Sequence, residues 1–181
     1  MADLSAVAGT WTIDQSHTNL GFQVRHAMIA KVRGNFADFS GSFTIDGANP
    51  AASTAELTIQ TASINTGNAD RDGHLKSPDF FDAEKNPTIT FTSTGVEVKG
   101  DDIVVTGDLT INGVTKSVAV NYELTGTSVD PWGNTRVGFE GEAKINRKDF
   151  GLTWNAALET GGVMVGDEIK LALDVEAVKQ A

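Results

Sequence analysis

Ile103, Val105, Gly107, Leu109 and Ile111 occupy every second position, Asn112-Gly113 follows, and Val118, Val120, Tyr122 and Leu124 resume the alternation. A period of two marks a strand with one face buried. Asn-Gly suits a type I′ turn, because both central residues there need positive φ. A chain built of such hairpins must fold as a sheet that hides one face. The same period recurs along most of the sequence. Leu20, Phe22 and Val24 share a face over residues 19–25, and Gly41, Phe43 and Ile45 do so within 32–46. Ala55, Leu57 and Ile59 alternate within 54–64, and Ile89 and Phe91 over 88–94. Val96 and Val98 continue after a shift near Gly95. Val137, Phe139, Gly141, Ala143 and Ile145 form another such set, and Ile169, Leu171, Leu173 and Val175 the last. A short first strand spans 10–14, and Asp14-Gln15-Ser16 turns the chain.

Three stretches break the pattern. Residues 26–30 read as a short turn of helix. Phe36 and Phe39 stand out of period, which predicts a bulge. Residues 147–155 are irregular, with Phe150 and Trp154 among them. The longest departure runs over 68–94. Asn68 or Asp70 can cap a short helix through Lys76, with Asp70 and Asp72 at the positive end of its dipole. Ser77-Pro78 restarts a second helix that carries Phe80 and Phe81. This helical insertion, near residues 68–82, reads as a lid or end cap.

About eight long strands with one apolar face each suit an all-β fold, an extended eight-stranded antiparallel barrel of lipocalin-like kind. A two-sheet sandwich is the competing architecture. Closure is favoured because long twisted strands curl and a barrel has no exposed edges. The 181 residues are expected to form one domain, with a core over about 10–178. Gly41, Ala55, Gly107, Gly141 and Ala143 fall on the apolar face. Small inward residues either let a strand bend or leave a lumen.

The formal net charge of −10 disfavours nucleic acid and anionic membrane surfaces as partners. No segment is long and apolar enough for stable membrane insertion. Without cysteine there is no disulfide or thiolate chemistry. The N-terminal residues lack the pattern of a secretory signal, so the expected location is cytoplasmic, or periplasmic or secreted for a trimmed mature form. His17, His26 and His74 have no metal-ligand spacing. His17 follows Asp14 by three residues, as in a local turn hydrogen bond, and His74 follows Arg71 by three, so those two can face one another on a helix. Arg25 and His26 end the second strand, either at a mouth, where they would suit a polar head group, or on the outer surface.

The residues together resemble the YceI-like family of bacterial polyisoprenoid-binding proteins. The resemblance rests on Asp14-Gln15-Ser16-His17 with Phe22, on Arg71, His74, Leu75, Phe80, Phe81 and Asp82, and on Pro87, Ile89 and Phe91. It continues through residues 107–111 with 113–115, residues 145–151 and residues 165–169. The resemblance implies a lipocalin-like barrel with a long apolar pore for a polyisoprenoid or similar amphiphile. It also implies handling of isoprenoid quinones or their precursors.

From the alternation, the expected pore lining is Phe22, Val24, Phe43, Leu57, Ile59, Phe91, Val105, Leu109, Val120, Tyr122, Phe139 and Trp154. His17, Arg25, His26, Met28, Phe36, Phe80 and Phe81 are the candidates for a mouth or gate. The expected activity is non-catalytic binding, with no cofactor, no metal and a long-chain lipid as ligand. The alternative is an enzyme using a histidine acid or base on an isoprenoid-like substrate. A homodimer is compatible with the sequence, although no motif calls for one.

Overall fold

The computed structural model describes residues 2–158 and 162–181. All its strands belong to one antiparallel sheet. They are β1 (Gly9–Ile13), β2 (Asn19–His26), β3 (Ala30–Phe36), β4 (Phe39–Ile45), β5 (Thr54–Gln60), β6 (Ile64–Asn65), β7 (Thr88–Lys99), β8 (Asp102–Ile111), β9 (Val114–Val129), β10 (Thr135–Asn146) and β11 (Glu168–Lys179). One helix, α1 (Ala69–Lys76), lies between β6 and β7.

The eleven segments make eight staves. β1 and β2 form one interrupted stave, β3 and β4 the next, and β5 and β6 the third. Accordingly β2 pairs β3 while β1 pairs β4, with Trp11 opposite Phe43 and Val24 opposite Val32. The other five staves follow in chain order, and β11 closes the ring on β1, with Trp11 opposite Lys179. The barrel is thus eight-stranded and up-and-down, as the alternation predicts. β7, β10 and β11 are twelve residues each, which makes them about 40 Å long at roughly 3.3 Å per residue.

The breaks in the early staves differ from the sequence expectation. Between β3 and β4 there is an interruption at Ala37 and Asp38, not a bulge. Ala37 N–H donates to Ser63 O and Gln60 N–H to Asp38 O, so this break and the 3-10 turn at Thr61–Ser63 satisfy each other. The shift near Gly95 does occur, as a register shift between Ser93 and Gly95. Residues 26–30 form no helix. They are a three-residue hairpin loop, residues 27–29 between paired His26 and Ala30, with Ala27 and Met28 at φ 51° and 62° and Ile29 N–H donating to His26 O. Helix α1 starts where expected, with Asn68 accepting from Arg71 N–H at 2.9 Å. The second predicted helix is instead a run of turns, because Asp82 sits at φ 47°, outside the helical region.

Two apolar clusters fill the barrel from its ends. Leu4, Val7, Trp11, Ile45, Ile103, Val137 and Ala177 pack at the end that holds the N-terminus. Trp11 is 1% exposed, and its indole N–H donates to Val7 O, so the first turn of chain is tied beneath the barrel floor. The other cluster includes Leu20, Phe39, Ile89, Leu109, Phe150 and Leu152. It lies towards the capped end, which receives the 61–87 insertion and residues 147–152.

Candidate functional site

Two apolar chambers lie in series inside the barrel. The larger, of about 190 Å³, is under the cap. The smaller, of about 130 Å³, is above the floor and reaches Leu4. Leu20, Leu57, Phe91, Tyr122 and Leu173 line both, so the chambers adjoin at a waist made by five side chains.

The small inward residues explain how a barrel this narrow keeps a lumen. Gly34 lies directly opposite Phe22, Gly41 opposite Leu57, and Gly141 opposite Tyr122. A Cβ built on Gly34 would stand 2.5 Å from Phe22 Cζ, and one on Gly107 2.5 Å from Phe91 Cζ. The missing side chains seat large neighbours against the wall. The rings therefore lie over glycine backbone and project less into the interior.

The residues expected to line the pore are positioned as follows. Phe22, Val24, Ile59, Leu109 and Val120 line the larger chamber. Phe43, Val105 and Phe139 line the smaller, while Leu57, Phe91 and Tyr122 form part of the waist. Trp154 lines neither. It packs in a trio with His74 and Phe80, with ring centroids 4.7 and 5.3 Å away. That trio fastens the two cap segments to one another. Among the gate candidates, Phe36, Phe80 and Phe81 line the larger chamber, with Phe36 and Phe81 edge to face at 6.1 Å. Arg25, His26 and Met28 are exposed at the β2–β3 hairpin and line no chamber. The alternation that turns Val24 inward turns Arg25 out.

His17 is exposed and lines neither chamber. Its Nδ1 lies 2.8 Å from Asp14 Oδ2, the local turn bond that the spacing predicts. Arg136 joins the cluster, donating through Nη1 to Asp14 and Glu176 and through Nε to Asp130. The Arg136 and His17 contacts hold the Asp14 carboxyl well below its ordinary range. Burial raises Asp130, but hydrogen bonds from Asn134, Arg136 and Trp132 outweigh it and bring its pKa to about 2. Asp14, His17 and Glu176 are close enough to hold a cation. Both carboxylates already face the Arg136 guanidinium, so the cluster reads as an ion-pair network. His74 pairs with Asp79 at 2.9 Å, and Arg71 turns to Thr66, so Arg71 and His74 do not face one another as expected.

Two features of the wall carry chemistry that the alternation does not reveal. Arg147 is 3% exposed yet lines the larger chamber. Nε donates to Gly166 O, Nη1 to Leu152 O and Trp154 O, and Nη2 to Val165 O. Burial lowers its pKa, partly offset by Asp167 at 3.6 Å. Its donors are committed to backbone, so it ties residues 152–154 to residues 165–166 at the chamber wall. Tyr122 is the second feature. Its hydroxyl forms no hydrogen bond with any described residue, and burial pushes its pKa up to about 12. It is a neutral donor at the waist. Asn112 also reaches beyond its turn, accepting from Asn86 Nδ2 and donating to Phe150 O, so the hairpin tip joins both cap segments.

A closed antiparallel barrel with an apolar lumen, floored at one end and capped at the other, defines a lipocalin-like β-barrel. The model of the YceI-like domain matches residues 11–177. The chain belongs to that family. Protein YceI of Escherichia coli is 44% identical over 178 residues, covering 97% of this chain and 90% of the relative. The crystal structure of Burkholderia cenocepacia BcnA superposes with a TM-score of 0.79 at 25% identity, covering 91% of this chain and 98% of that one. A domain from Saccharophagus degradans, described as polyisoprenoid-binding, superposes at 0.65 with 19% identity over 94% and 98% of the two chains. That last likeness is one of fold. Among the described residues no helix is long and apolar enough to cross a membrane.

Proposed function

We propose that this chain binds a polyisoprenoid or a similar long-chain amphiphile in its lumen and carries or stores it without chemical change. The observation that carries the reading is the pair of apolar chambers that share five lining side chains at the waist. Burial of a flexible apolar chain supplies about 0.8 kcal/mol per CH₂, reduced by the cost of ordering the chain. The description of the Saccharophagus degradans domain as polyisoprenoid-binding supports the same ligand class. Phe36, Phe80 and Phe81 are the proposed gate, since they meet the larger chamber beside the cap. The Tyr122 hydroxyl, which has no hydrogen-bond partner among the described residues, is the proposed donor to an oxygen on the cargo. A histidine-catalysed reaction on the cargo has less support, as neither chamber is lined by His17, His26 or His74.

The test is a titration of delipidated protein with prenyl alcohols of increasing length, for the native chain and for Leu57→Trp. An indole at the waist separates the chambers. Long alcohols are expected to lose at least tenfold in affinity, while short ones that fit the larger chamber keep theirs. Equal affinity of both proteins for every length would overturn the reading.

A further inference from the structure

The β2–β3 hairpin carries cations and apolar side chains that the barrel does not use. Met28 and Ile29 are 60% and 83% exposed at its tip, and Val163 beside them is 40% exposed. Ala27 N–H donates to Met164 O, which holds the tip against the segment next to Val163. Arg25 lies directly opposite Lys31, and Gln23 opposite Arg33, so Arg25, Lys31 and Arg33 share the outward face. Like charges directly across a ladder repel. Among the described residues none of these three cations is in an ion pair or a side-chain hydrogen bond. Residues 25–33 contain no acid at all, within a chain of net charge −10.

The turn itself also favours the patch over stability. Ala27 and Met28 hold left-handed φ, which is unfavourable for a residue with a Cβ. Asn112-Gly113, at φ 54° and 73°, shows the residues that suit such a turn in the same barrel.

We propose that this hairpin docks on an anionic lipid bilayer, with Met28, Ile29 and Val163 among the head groups and Arg25, Lys31 and Arg33 against lipid phosphates. A membrane anchor needs an apolar and a basic element together, and the hairpin supplies both. The net negative charge does not prevent this, because fields are screened beyond about 10 Å at 0.1 M salt. The hairpin flanks the capped end, so docking would bring the larger chamber towards the bilayer. The other exposed apolar tip, Val129 and Trp132, has Asp130 between them, and the nearby cation Arg136 is already paired. It lacks the complementary charge.

The chain has no cysteine, so I29C and V129C can each carry one environment-sensitive fluorophore. The probes are vesicles of phosphatidylcholine alone and of phosphatidylcholine with phosphatidylglycerol, mixed with protein free of added cargo. The expected result is a blue shift of the Ile29 label on anionic vesicles only, weakened by salt, with the Val129 label silent. K31Q/R33Q should bind about 25-fold more weakly, at about fivefold per charge, with an unchanged melting temperature. No shift on anionic vesicles, an equal response of both labels, or a response to a protein partner but not to vesicles would each overturn the proposal. Lipid vesicle docking and lumen occupancy are read separately, so failure here leaves the cargo reading standing.

Discussion

The ring of Tyr122 lies across Gly141, its direct partner in the β9–β10 ladder, closer than a Cβ on Gly141 would permit. The waist of the lumen depends on this. Gly141→Ala should push the ring inward, narrow the passage and cost about 1–3 kcal/mol as overpacking. Denaturant unfolding and prenyl alcohol binding check both consequences. Affinity for long chains should fall more than affinity for short ones.

Tyr122 is the only tyrosine in the chain, so the near-ultraviolet absorbance of tyrosinate reports it alone. Burial places its ionisation at about 12, above the ordinary 10.0. The neutral form is favoured in the fold, so this contribution is fully present below pH 10 and lost as pH rises from 10 to 12. The titration midpoint should be near 12. Tyr122→Phe should remove that part of the alkaline loss of stability.

Arg136 sets the acid limb. It lowers Asp14 and Asp130, so the folded state binds fewer protons than the unfolded chain below pH 4. That stability is present above the unfolded value of 3.8 and is lost as pH falls through the lowered ones, to about 2 for Asp130 and lower for Asp14. Arg136→Met should be less stable than the native chain at pH 6. The difference should shrink on acidification towards pH 2. Melting temperatures measured across that range decide it.

Arg147→Met should leave the Gly166, Leu152, Trp154 and Val165 carbonyls without their donor. The expected cost is about 3 kcal/mol or more. Arg147→Lys should recover little, since an ammonium cannot reproduce the planar fork. Hydrogen exchange should show faster opening over 147–155 than over the β8–β9 hairpin.

Features with a local physical cause were legible in the sequence. The β8–β9 hairpin followed from alternation and Asn112-Gly113, and the α1 start from the capping side chain of Asn68. The barrel followed from the repeated period of two. What depended on distant partners was not legible. Arg136 reaches Asp14 across 122 positions, so the turn bond of His17 was readable but the network around it was not. Trp154 lies in a segment with no period, which left its direction undetermined. Asp82 ends the second predicted helix through a backbone angle that composition does not encode. Glycine on the apolar face was visible, but its role required the register, because the seated side chain belongs to the neighbouring strand. An arginine within the irregular 147–155 stretch was the available signal for Arg147, and its four acceptors appear only once the loop is folded back.

The most direct test of the account is native mass spectrometry of the protein as purified, followed by organic extraction and identification of the released lipid. A stoichiometric mass increment that matches a long-chain prenyl species is expected. A clean apo mass, unchanged after incubation with long-chain isoprenoids, would contradict it.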